Sequence, residues 1–114
     1  MDIIVTMPDV KKEGYEKLIK WYEEHKDEQH YFRVSQLPKN CVAGEWCWIV
    51  SNGHVFGKHK IVEMRYVEEC EAQELFDEDW HAGNYIIREG KSFERDDRGM
   101  VVKGFQGFHY KDGW

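Results

Sequence analysis

Glu45-Trp46-Cys47-Trp48-Ile49-Val50-Ser51-Asn52-Gly53-His54-Val55-Phe56-Gly57-Lys58-His59-Lys60 is the stretch that decides the fold. Its first half is aromatic and β-branched, the composition that suits a pleated, packed strand. Asn52-Gly53 follows at once and suits a two-residue type I′ turn, because both central positions need positive φ. The pattern predicts a hairpin whose return strand starts at His54 and continues to about Val67. Gly57 inside that strand predicts a bulge or a close backbone approach.

Short strands surround the hairpin. Ile3, Ile4 and Val5 are contiguous and predict a buried strand over Asp2–Thr6. Thr6-Met7-Pro8-Asp9 is a helix-start signature, with Thr6 as cap and Pro8 in the first turn. The helix that follows is expected to run to about Lys26, with Tyr15, Leu18, Ile19 and Tyr22 as its apolar stripe. Glu13/Lys17 and Glu16/Lys20 are i,i+4 pairs on its wet side. Tyr31–Gln36 predicts a second strand, and Glu69–Trp80 a short acidic helix stopped by His81-Ala82-Gly83-Asn84. Tyr85–Arg88 and Ser92–Arg95 read as strands joined by a turn at Glu89-Gly90-Lys91. Met100–Lys103 and Phe105–Tyr110 read as the last strands. Closely spaced strands favour antiparallel pairing. The expectation is an α+β fold: a small, bent or partly open antiparallel β-barrel with one N-terminal helix and one short acidic helix.

With 114 residues, the chain fits a single domain over residues 1–114. Its aromatic content of 15% excludes global disorder. The net charge of −6 excludes a generally basic coat. That charge is concentrated: residues 63–79 hold eight acids and one base, which leaves the rest of the chain slightly positive. Such a run is ordinarily a solvated face. The three cysteines, Cys41, Cys47 and Cys70, form no CxxC, which suggests reduced thiols in a cytosolic protein. The N-terminal residues lack an export signal, and no apolar run is long enough for a membrane span.

Residues 38–62 carry a family likeness. Gly44-Glu45 leading into a strand, the Asn52-Gly53 hairpin, and Gly57 interrupting the return strand resemble the central hairpin of the PUA-like superfamily, which includes ASCH and EVE/YTH-like domains. The tail Lys103-Gly104-Phe105-Gln106-Gly107-Phe108-His109-Tyr110 is similar to endings of small bacterial or phage PUA-like proteins. The resemblance implies RNA or modified-nucleobase binding, often with a base in an aromatic-lined pocket. Some ASCH members hydrolyse an acylated cytidine, so an ASCH-like amidohydrolase is the alternative implied. The ASCH signature Gly-x-Lys-x-x-Glu-x-Arg is absent, and no catalytic residue carries over.

Four constellations bear on function. Trp46 and Trp48 share one strand face, with Arg33, Lys58, His59 and Lys60 expected on neighbouring strands. The tail adds Lys103, Phe105, Gln106, Phe108, His109, Tyr110 and Lys111. Base–aromatic stacking contributes roughly 1–3 kcal/mol per base, cations hold phosphates, and Gln106 can read a base edge. The competing reading makes both tryptophans core. The second constellation is Asp77-x-Asp79-x-His81, with His54 and His59 on one hairpin; the spacings match no standard metal site, so no metal and no cofactor are expected. The third is a thiol nucleophile: Cys70 follows two glutamates, an environment that disfavours a thiolate, and Cys47 alternates into a strand. The fourth is an acid–base set of Glu45, Glu63, Glu89 and Lys58, against ordinary surface charge. The leading expectation is a nucleic-acid or modified-nucleobase binding domain with RNA as partner. A phage- or mobile-element-borne interaction module is a further alternative, its acidic 63–79 segment docking on a basic protein.

Overall fold

The computed structural model describes residues 1–7, 14–75, 81–103 and 107–111. They form a small α+β domain: one six-stranded sheet, strongly curled into a half-barrel, and two helices. The elements are β1 (Ile3–Thr6), α1 (Gly14–Glu24), β2 (Gln29–Val34), β3 (Trp46–Ser51), β4 (His54–Val67), α2 (Glu69–Leu75), β5 (Gly83–Arg95) and β6 (Phe108–Tyr110). The strand order is β2-β5-β4-β3-β1-β6. No described helix is long and apolar enough to cross a membrane.

The hairpin forms where the sequence predicts it. Asn52 and Gly53 have φ of 51° and 74°, the left-handed values a type I′ turn demands. The register slips between Ile49 and Val50, so that Ile49 faces Gly57 and Val50 faces Val55. A Cβ on Gly57 would lie 2.6 Å from Cε1 of Phe93, so this position is both a bulge and a close approach.

Five expectations are corrected. The sheet is not wholly antiparallel: β1 runs parallel to β3. The connection between them passes through α1 and β2, long enough for the crossover a parallel pair needs. The turn expected at Glu89-Gly90-Lys91 does not exist, because β5 runs unbroken from Gly83 to Arg95. Gly90 is there for proximity: its N–H donates to the Glu28 carbonyl at 3.1 Å, and an added Cβ would meet that oxygen at 2.1 Å. Met100–Lys103 is not a strand but makes one bridge, Val101 to His54. The observed β2 also begins earlier, at Gln29. Pro8 and Asp9 of the expected helix start, and residues 76–80 of the expected acidic helix, lie outside the described residues. The expected Glu16/Lys20 pair is replaced: Lys20 reaches Glu24, and Glu16 reaches Arg95.

The core lies on the concave side. Ile3, Val5, Cys47, Ile61 and Ile86 project there with Val34 and Cys41. The α1 helix closes it by packing Ile19 and Tyr22 on Ile49, Phe56 and Phe93. Each fully buried aliphatic or aromatic side chain contributes ~1.5–3 kcal/mol. The convex side carries a smaller cluster of Ile4, Trp48, Val50 and Val55, flanked by Trp46, Met100 and Val102.

Candidate functional site

Strand pairing decides which charged side chains meet the tryptophans. Trp46 faces Lys60 across the β3–β4 ladder and Trp48 faces Lys58. Directly opposed residues project from the same face of a sheet. The row continues on both sides: Lys58 faces Glu94, Trp48 faces Ile4, and Ile4 faces His109. One convex row therefore runs Glu94, Lys58, Trp48, Ile4, His109.

Cations crowd the two indoles. Lys58 Nζ lies 4.2 Å from the Trp46 ring centroid and 4.7 Å from that of Trp48. Lys60 stands 5.5 Å from Trp46. The Arg98 guanidinium and the Lys111 ammonium stand 5.3 Å and 4.9 Å from Trp48. Each contact contributes about 0.5–1 kcal/mol where exposed and more where desolvated. The rings differ in access: Trp46 is half-buried, whereas Trp48 is 7% exposed. Trp48 thus serves as a packed base for the cluster, and Trp46 carries the open aromatic surface.

Carboxylates order the patch and offset much of its charge. One oxygen of Asp2 accepts from the Trp46 backbone N–H at 2.9 Å, the other from the Trp48 indole N–H at 3.3 Å. Glu94 lies 3.5 Å from Lys58. Asp96 accepts from the Arg98 backbone and guanidinium, and this pairing holds its carboxyl below the usual range. The cationic ends are consequently positioned rather than loose.

The remaining expected residues scatter. His59 lies between Lys58 and Lys60, but the pleat turns it to the concave side, where it is wholly buried. Arg33 is exposed on β2, at the far edge of the sheet, in a separate groove of about 540 Å³ with Tyr66 and Asn84. Lys103 is exposed just after Val102, whose N–H donates to the Gly53 carbonyl. Phe108 is half-buried against the concave core, and His109 is exposed on the convex side. Phe105 and Gln106 lie outside the described residues. Sequence reasoning did not connect Arg98 with the tryptophans; a loop brings it there, and no local pattern announces it. Lys111 follows the tail in sequence, yet it belongs to the Trp48 cluster.

The acid–base set does not converge. Glu45 takes the Met1 ammonium at 2.7 Å and accepts from the Val42 N–H at 2.8 Å. The ammonium bond holds the Glu45 carboxyl below its ordinary range. Glu63 is 3.0 Å from Arg65, and Glu89 stands opposite Lys60. The acidic segment is partly engaged within the chain: Arg65 also grips both oxygens of Glu71, and His81 lies 3.0 Å from Glu69. All three cysteines are free thiols. Burial pushes Cys41 up to about 12 and Cys47 up to about 11, which leaves both unreactive at neutral pH. Asp77 and Asp79 lie outside the described residues.

Compared with known proteins, the chain matches no family model, no curated protein and no solved structure.

Proposed function

We propose that the convex face of the half-barrel binds single-stranded nucleic acid, RNA in the first instance, in the manner of a PUA-like domain. The observation that carries this reading is the cross-strand pairing of Trp46 with Lys60 and of Trp48 with Lys58, which Arg98 and Lys111 join so that four cations stand around two indoles. Trp46 offers a face on which a base stacks. Lys58, Lys60, Lys111 and Arg98 offer positive ends for the flanking phosphates. Stacking on one open ring is worth roughly 1–3 kcal/mol, and each neutralised phosphate adds a salt-dependent increment. The sequence distribution of charge is compatible with this reading, because residues 63–79 hold more than the whole net negative charge and the rest of the chain is slightly positive.

The test is fluorescence anisotropy with labelled single-stranded and structured RNA at two salt concentrations. Binding is expected at low salt and weakens as salt rises. The double substitution K58A/K60A is expected to lower affinity about tenfold and to reduce the salt slope by about 1.4, the value for two single-strand phosphate contacts. Absence of binding to either RNA at low salt would overturn the reading.

A further inference from the structure

The concave side holds polar groups that the convex face does not explain. His59 is 0% exposed, Arg88 2% and His30 7%. The β2–β5–β4 register sets Arg88 opposite both His30 and Ile61, and β3–β4 sets His59 opposite Cys47. His30 has a partner, with Nε2 3.1 Å from the His25 carbonyl oxygen. Neither ring nitrogen of His59 has one, and neither does Nε or Nη1 of Arg88.

This arrangement is costly as it stands. Buried polar side-chain groups in folded proteins are overwhelmingly hydrogen-bonded. A guanidinium stays charged at every accessible pH. Leaving it buried without a counter-ion is strongly unfavourable. No described carboxylate bonds Nε or Nη1 of Arg88. Around the unpaired nitrogens stand aromatic walls: the rings of Tyr22, His30 and Phe93 lie 5.1, 5.1 and 5.2 Å from the His59 ring. The group joins a permanently charged guanidinium to a ring-enclosed imidazole, and none of the four unpartnered nitrogens meets a protein partner.

A second observation points the same way. Phe93 is at once a wall of this interior and part of the lining of a surface groove of about 450 Å³. That groove also gathers Lys26, Lys60 and Lys91, beside Trp46 and the carboxylates of Glu89 and Glu94. Phe93 is thus shared by the groove and the interior, and the groove's three ammonium groups outnumber its two carboxylates.

We propose that the interior of the half-barrel is a binding site for a small oxyanion, a carboxylate or phosphate group, held by Arg88 and His59. The chemistry selects this class. The ligand must be negative to balance Arg88. It must offer more than one oxygen, because two guanidinium nitrogens and an imidazole N–H need acceptors together. Guanidinium donors suit carboxylate and phosphate best of all side-chain groups. A water molecule supplies an acceptor but no charge.

The experiment titrates the intact protein with formate, with inorganic phosphate and, as control, with chloride, at constant ionic strength. It reads the ¹⁵Nε–¹H resonance of Arg88, assigned by its loss in Arg88→Lys, together with the melting temperature. Formate or phosphate is expected to shift that resonance saturably and to raise the melting temperature, while chloride does neither. A response to formate alone identifies a carboxylate ligand, and one to phosphate alone a phosphate ligand. In Arg88→Met the anion-dependent rise is expected to vanish; if that variant does not fold, His59→Phe is expected to weaken the response about tenfold through loss of its N–H. A flat response to both oxyanions, or an unchanged rise in Arg88→Met, would overturn the proposal.

Discussion

The two faces of one sheet treat charge in opposite ways. On the convex face Lys58 is shared between two indoles and a carboxylate, in contact with solvent. On the concave face Arg88 and His59 are buried, His59 among rings, with nitrogens unanswered. The division runs through three consecutive residues, Lys58-His59-Lys60, which a reading by composition takes as one basic patch. The pleat separates them, because successive side chains of a strand point to opposite faces. Charge on the outside is ordered by partners already present, and charge on the inside calls for a partner from elsewhere.

The contrast can be broken most strongly through packing. Trp48→Ala is expected to cost about 3–5 kcal/mol, as for other buried large aromatics, whereas the half-buried Trp46 costs distinctly less. Urea unfolding of the two variants checks this, and equal losses would mean that the two rings share one role. On the concave side Gly90→Ala drives a methyl into the Glu28 carbonyl, a backbone atom that cannot swing aside. A loss of about 3 kcal/mol or more is expected, read as a fall in the denaturation midpoint.

Acid provides a graded probe of the inside alone. His59 is pushed down to about 2, by burial first and then by Arg88 and His30, and His30 is lowered by burial and Arg88. The unfolded chain takes up protons below pH ~6.5 where these folded imidazoles do not, so stability is lost as pH falls. For His59 the loss is about 1.4 kcal/mol per pH unit below the unfolded value, until the folded state protonates or opens. Stability measured between pH 7 and 4.5 is expected to fall more steeply in the native protein than in His59→Asn, with His30 accounting for part of the remaining slope. Parallel curves would show that His59 does not resist protonation. The smallest effect belongs to the outside: Glu94→Gln releases an ion pair whose carboxylate is largely exposed, and stability changes by less than about 1 kcal/mol.

The parts of the fold legible in the sequence were those encoded locally. Asn52-Gly53 specifies its turn through backbone conformations that few other residues adopt, and the alternation through Trp46 and Trp48 correctly put them on one face. The illegible parts depend on distant contacts. Gly90 looks like a turn residue, but it is small because the α1–β2 connection crosses above it. The parallel β1–β3 pair follows from a crossover with no local signature. The same limit applies to the sites. Alternation that unites the tryptophans with Lys58 also expels His59 from their face, and it gives Arg88 the inward parity of Ile86; both signals were present and outweighed by residue type. Arg98 reaches Trp48 from a loop, which no period announces.

The most direct test of the convex interface is a ¹⁵N–¹H titration of the intact protein with single-stranded RNA at low salt. Our reading expects shifts at the Trp46 indole and at the Trp46, Lys58 and Lys60 amides, with the β2 edge around Arg33 undisturbed. No shift, or shifts confined to the Arg33 edge or to the acidic residues 63–75, would contradict it.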